Sequence, residues 1–134
     1  MSALIEELKR EHSELVAILN EVKGLDILSK EGQTKLLSAK ERFFTHLNKE
    51  DRQLYPVLIK DAENNKQMES ALDLCAIDME NVSRIALDFF NKYYGGVIDE
   101  DFPGEFERFF TTISKRIKDE EDILYDEYDK INQQ

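Results

Sequence analysis

His46 and Glu50 stand four residues apart, so on a helix they lie one turn from each other and present an imidazole and a carboxylate to the same side. Arg116 and Glu120 repeat the spacing at an offset of 70 residues. The repeat is wider than these two pairs. His46-Leu47-Asn48-Lys49-Glu50-Asp51-Arg52-Gln53-Leu54-Tyr55 aligns with Arg116-Ile117-Lys118-Asp119-Glu120-Glu121-Asp122-Ile123-Leu124-Tyr125. A weaker pair, Leu8 to His12 against Ile77 to Asn81, has an offset of 69. Nearly equal offsets predict a helical hairpin used twice around a pseudo-twofold axis. A site on that axis would receive His12, His46 and Glu50 from one half, and Asn81, Arg116 and Glu120 from the other. Polar groups converging from several helices at one depth are how bundles build metal sites. Imidazole with carboxylate suits iron, zinc or manganese, whereas oxygen donors alone would suit calcium or magnesium.

Those residues need helices to hold them, and the apolar spacing supplies four. Leu4, Ile5, Leu8, Leu15, Val16, Leu19 and Val22 follow the period of an amphipathic helix. Ser2 is placed to cap its start, and Gly24 to take a left-handed turn past its end. A second helix begins after Ser29 or Gly32 and runs towards Pro56, where a kink or stop is expected. Asn64-Asn65 reads as a turn. The third helix carries Met68, Leu72, Cys75, Met79, Val82, Ile85, Phe89 and Tyr93 and should end at Gly95-Gly96. An acidic loop through Asp99, Glu100 and Asp101 leads to Pro103, which opens a fourth helix bearing Phe106, Phe109, Phe110, Ile113, Ile117, Leu124, Tyr128 and Ile131. His12 falls on the apolar stripe of its helix, and Asn81 between Leu74, Ile77 and Ile85, so both are expected to point inward. Four stripes with short connections are best buried as an all-α, antiparallel up-down-up-down bundle.

Composition agrees with one such domain spanning residues 1–134. Apolar residues make up 41%, enough for a core, and five Gly with two Pro are too few for the many turns of a sandwich or barrel. The net charge of −11 repels phosphate, so nucleic acid and anionic membranes are not expected partners, while a protein partner stays open. No apolar run approaches the ~20 residues of a membrane span. The opening MSALIEELKREHSEL places acids within its first apolar stretch, unlike a signal peptide. A single cysteine, Cys75, has no internal disulfide partner, which fits a reducing, cytoplasmic setting.

The Glu11-His12 pair, the His46-x-x-x-Glu50-x-x-x-Leu54-Tyr55-Pro56 signature and the Arg116-x-x-x-Glu120-x-x-x-Leu124-Tyr125 echo resemble hemerythrin-like (HHE cation-binding) domains, over about residues 3–130. The resemblance implies an antiparallel four-helix bundle with a non-haem di-iron centre, associated with dioxygen binding, iron or oxygen sensing, and responses to nitric oxide or peroxide. Carried over by position, His12, His46, Glu50 and Glu120 match family ligands. Asn81 and Arg116 stand where the family has histidine, and no other histidine exists to substitute. Asn is a poor iron ligand and a guanidinium stays protonated, so it cannot ligate. An inward Arg116 would bring positive charge to the place of a cation.

Three readings follow. In the leading one Arg116 neutralises Glu50, Glu120 or both in a metal-free pseudo-site that His12, His46 and Asn81 complete, and the domain is a non-enzymatic sensory or interaction bundle with little or no iron. In the second, one or two iron ions sit in an atypical carboxylate-rich site that binds or senses dioxygen, iron or nitric oxide. The third, a carboxylate-bridged metal oxidase, has only two of its usual four inward carboxylates. Tyr55 and Tyr125 read as packing residues at helix ends, Cys75 as an inert core thiol, and the acidic runs as solvated faces.

Overall fold

The computed structural model describes residues 2–25, 29–93 and 101–132, with the side chains of residues 76–78 and 132 outside the description. Its helices are α1 (Ala3–Lys23), α2 (Lys30–Lys49), α3 (Tyr55–Ala62), α4 (Lys66–Tyr93), α5 (Phe102–Asp119) and α6 (Tyr125–Asn132). Two five-residue π-helical turns, Glu50–Leu54 and Glu120–Leu124, join α2 to α3 and α5 to α6 without breaking either rod. The result is the expected up-down-up-down bundle of four rods. α1 lies against α2 and α5, α4 against α3 and α5, and α3 against α6.

Local chemistry sets the ends. The Ser2 hydroxyl accepts from the Ile5 N–H at 3.3 Å, and the Ser29 hydroxyl from the Gly32 N–H at 2.9 Å, so both serines cap as their type requires. Asn65 closes the α3–α4 turn by accepting from the N–H groups of Gln67 and Met68. Gly24 departs from expectation. Its φ of −87° is right-handed, and the helix ends through its N–H bond to the Glu21 carbonyl instead of a left-handed turn. The expected helix end at Gly95-Gly96 and the loop residues Asp99 and Glu100 lie outside the described residues.

Pro56 neither stops nor sharply redirects its rod. It sits in the first turn of α3, where a missing N–H is least costly. Nor does it cause the π-turn before it, because the second π-turn occurs with Asp126 at the matching position. What both turns share is their inward sequence. Residues four, eight and nine places apart drift round a regular α-helix at 3.6 residues per turn. The wider π-turn absorbs that drift, so His46, Glu50 and Leu54 are all buried on one rod, and Arg116, Glu120, Leu124 and Tyr125 on the other.

The core has two parts. Towards one end, Leu15, Leu19, Phe43, Phe89, Phe90, Phe106 and Phe109 interlock, with Phe89 and Phe109 stacked at 4.5 Å between centroids. Towards the other, Ile5, Leu8, Leu54, Leu58, Met68, Leu124 and Tyr128 form a second cluster. Each fully buried Leu or Phe contributes about 1.5–3 kcal/mol, so both clusters resist opening. The polar residues are held between them.

Candidate metal centre

Among the described residues the buried polar side chains are His12, His46, Glu50, Arg116 and Glu120, none more than 6% exposed. α1 contributes His12, α2 His46, and α5 Arg116, while the π-turns contribute the two glutamates. One donor atom from each of His12, His46, Glu50 and Glu120 falls within a set whose members all lie within 4.8 Å of one another. Opposite ligands of a first-row ion with bonds of about 2.0–2.2 Å are about 4.2 Å apart, so small side-chain rotations would close these four on one ion.

The outer side of each imidazole meets a carboxylate. His46 Nδ1 is 2.8 Å from Glu11 Oε1, and Lys49 holds both Glu11 and Glu7 in turn. His12 Nδ1 is 3.4 Å from Glu121 Oε2, beyond a good hydrogen bond but facing it. A carboxylate on one ring nitrogen orients the ring and directs the lone pair of the other nitrogen inward, as around protein-bound metals. The inner nitrogens do face the centre. His12 Nε2 and His46 Nε2 lie 3.2 and 3.4 Å from the Tyr125 hydroxyl.

Charge follows from burial. Burial, aided by the charge of His46, pushes His12 down to about 3, so its imidazole is neutral and able to ligate. Burial also lowers His46, but its contacts with Glu50 and Glu11 outweigh this and raise it. Two carboxylates in a dry pocket cannot both ionise cheaply. Burial and then Glu50 push Glu120 well above the carboxylate range, against the pull of Arg116. Burial acts on Glu50 in the same direction, yet hydrogen bonding with Glu120, His46 and Tyr125 holds it low. The pair therefore shares one proton when no cation is present, and a cation would displace it.

Arg116 occupies the opposite side. Its Nε donates to Glu120 Oε1 at 2.9 Å, Nη1 to the Cys75 carbonyl at 3.1 Å, and Nη2 to the Tyr55 hydroxyl at 2.6 Å. Glu120 thus turns one oxygen to the guanidinium and the other, 3.1 Å from the Tyr125 hydroxyl, to the centre. The donor set fits one ion. On the second side stand a permanent cation, Arg116, and no imidazole.

The expected inward placement holds for His12, His46, Glu50, Arg116 and Glu120. Asn81 is a correction. It is exposed, and its Oδ1 accepts from Arg84 Nη2 at 3.0 Å. α4 buries Met68, Cys75, Val82, Ala86 and Phe89, and Asn81 stands about 100° from Val82 around the helix. Asn81 is therefore no counterpart of His12. Tyr125, Tyr55 and Glu11 also reach the centre or its supports, which their types and spacing do not predict. The one available signal was that both tyrosines close the two copies of the repeat.

A family model for the hemerythrin HHE cation-binding domain matches residues 3–128. Neither a curated protein nor a solved structure gives a match. With that match spanning nearly the whole sequence, and with four antiparallel rods bringing two imidazoles and two carboxylates together between them, the chain belongs to the hemerythrin HHE cation-binding domain family.

Proposed function

We propose that this domain binds a single first-row transition-metal ion, with iron the best fit, and serves as a non-enzymatic binding or sensing module. His12 Nε2, His46 Nε2, Glu50 and Glu120 would hold the ion. The carrying observation is that these four donors converge while the outer nitrogens of both imidazoles face carboxylates, Glu121 and Glu11. Two buried carboxylates and a neutral imidazole ring one point, where a cation would take the place of the proton that the carboxylates hold. Mixed nitrogen and oxygen donors favour iron, manganese or zinc over calcium. Bound iron would supply redox and small-ligand affinity. The protein's own share is orientation through Glu11 and Lys49, and exclusion of water by the two apolar clusters. Arg116 supports the limit of one ion, since it neutralises Glu120 from the side where a second would lie.

A metal-free sensory or interaction bundle is the second reading, and the close Arg116–Glu120 pair favours it. Metal analysis of protein purified from iron-supplemented cells separates the two. We expect about one ion per chain, held through removal of loose metal by a weak chelator. Two ions would overturn the blocking role of Arg116, and none would leave the metal-free bundle.

A further inference from the structure

Tyr125 belongs to α6, yet its hydroxyl stands among donors from α1, α2 and both π-turns. The oxygen is 2.6 Å from Glu50 Oε2, 3.1 Å from Glu120 Oε2, 3.2 Å from His12 Nε2 and 3.4 Å from His46 Nε2. Its ring lies stacked at 11° to that of His12, and the residue is wholly buried. A phenol carries one proton, which goes to Glu50 at the shortest of these distances. The remaining neighbours include a second carboxylate oxygen and the His12 nitrogen, whose neutral form directs a lone pair inward. Hydrogen bonding accounts for the Glu50 contact and for a protonated Glu120 donating to the phenol oxygen, while two imidazole nitrogens also stand within 3.4 Å of the same atom.

The four distances have another meaning. Neighbouring ligand atoms around a six-coordinate first-row ion with bonds of about 2.0–2.2 Å lie about 3 Å apart. The Tyr125 oxygen has that spacing to all four proposed ligands at once, as the apex of a pyramid has to the corners of its base. Tyr55, its partner in the repeat, does not share the arrangement, because its hydroxyl accepts from Arg116 Nη2 at 2.6 Å.

We propose that Tyr125 is a fifth ligand, bound through its phenolate oxygen, and that it tunes the site towards iron(III). This rests on the one-ion reading above. Two carboxylates and a phenolate carry three negative charges, which matches a trivalent ion better than a divalent one. As the oxygen–metal bond forms, the O–H bond breaks and its proton leaves to solvent. No electron is transferred when the iron is supplied already oxidised.

The test uses the full chain mixed with iron(III) citrate, freed of excess, with iron counted beside the visible and resonance Raman spectra. We expect about one iron per chain, a phenolate-to-iron(III) charge-transfer band in the visible, and phenolate vibrations enhanced on exciting it. Tyr125→Phe should lose the band, and Tyr55→Phe should keep it. Should Tyr125→Phe fail to fold, the Raman spectra of the parent and of Tyr55→Phe still decide. Iron bound without a phenolate band in the parent would overturn the fifth ligand and leave the one-ion reading intact. A band lost in Tyr55→Phe but kept in Tyr125→Phe would also overturn it. No iron bound under any loading would overturn both.

Discussion

The two halves of the centre are built by the same device and filled differently. On one rod His46 precedes Glu50 by a turn, and on the other Arg116 precedes Glu120 by a turn, each glutamate opening a π-turn that ends in Leu and is followed by Tyr. The tyrosines then cross over. Tyr125 reaches His46 in the first half, and Tyr55 reaches Arg116 in the second. Because His46 and Arg116 are repeat partners, as are Tyr55 and Tyr125, the two contacts are equivalent under the pseudo-twofold axis. Backbone symmetry therefore survives a complete change of chemistry. One half offers lone pairs and the other a fixed positive charge, and the same packing tolerates both.

Variants on both sides of the centre test that contrast. Arg116→Leu should act most strongly. It orphans Glu120 in a buried place, and metal-free protein should lose about 3–5 kcal/mol of unfolding free energy in denaturant titrations near neutral pH. A loss below about 1 kcal/mol would mean that the halves are not held apart by this charge. The matched pair Tyr55→Phe and Tyr125→Phe should each cost about 1–3 kcal/mol without metal, since each leaves a buried polar partner unsatisfied. If only one of them costs stability, the crossing contacts are not equivalent. Asn81→His tests the register of α4. An imidazole there would be solvated, so Asn81→His by itself should change stability by no more than about 0.5 kcal/mol, and iron content should stay as in the parent both for it and for its combination with Arg116→His. A second iron in the combined variant would restore Asn81 as a lost ligand position. Smallest of all, Arg42→Ala removes an exposed 2.8 Å pair with Glu14 and should cost below about 1 kcal/mol, fading further in salt.

The four rods, their order and the five buried polar positions are legible in the sequence, because the apolar spacing and the 70-residue offset between His46–Tyr55 and Arg116–Tyr125 carry phase information. Phase fails at one position of α4. The apolar line Met68, Cys75, Val82, Phe89 and Tyr93 is buried as its spacing predicts, but the neighbours that would place Asn81 inward do not share that line, Leu74 being 72% exposed and Ile85 only half-buried. Asn81 was misplaced for that reason. The role of Tyr125 was hidden differently. A tyrosine near a helix end is ordinary packing unless the turn before it is known to be wide, and no residue type marks a π-turn. Glu11 adjoins His12 in the sequence, yet it supports His46 on the next rod, a pairing fixed only by how α1 lies against α2.

The π-turns also make chain length an instruction in its own right. Each one amounts to a residue beyond what a regular helix would use over the same stretch. Removing one residue from Asp51–Gln53 or Glu121–Ile123 would therefore return the stretch to a regular α-helix and leave Leu54 or Leu124 and everything after it nearly in its present rotation. Removing one from Leu47–Lys49 or Ile117–Asp119 would instead turn Glu50 against His46, or Glu120 against Arg116, by about 100°. Among related sequences, the loss of one residue should therefore be tolerated inside the π-turns and selected against in the regular helix just before them.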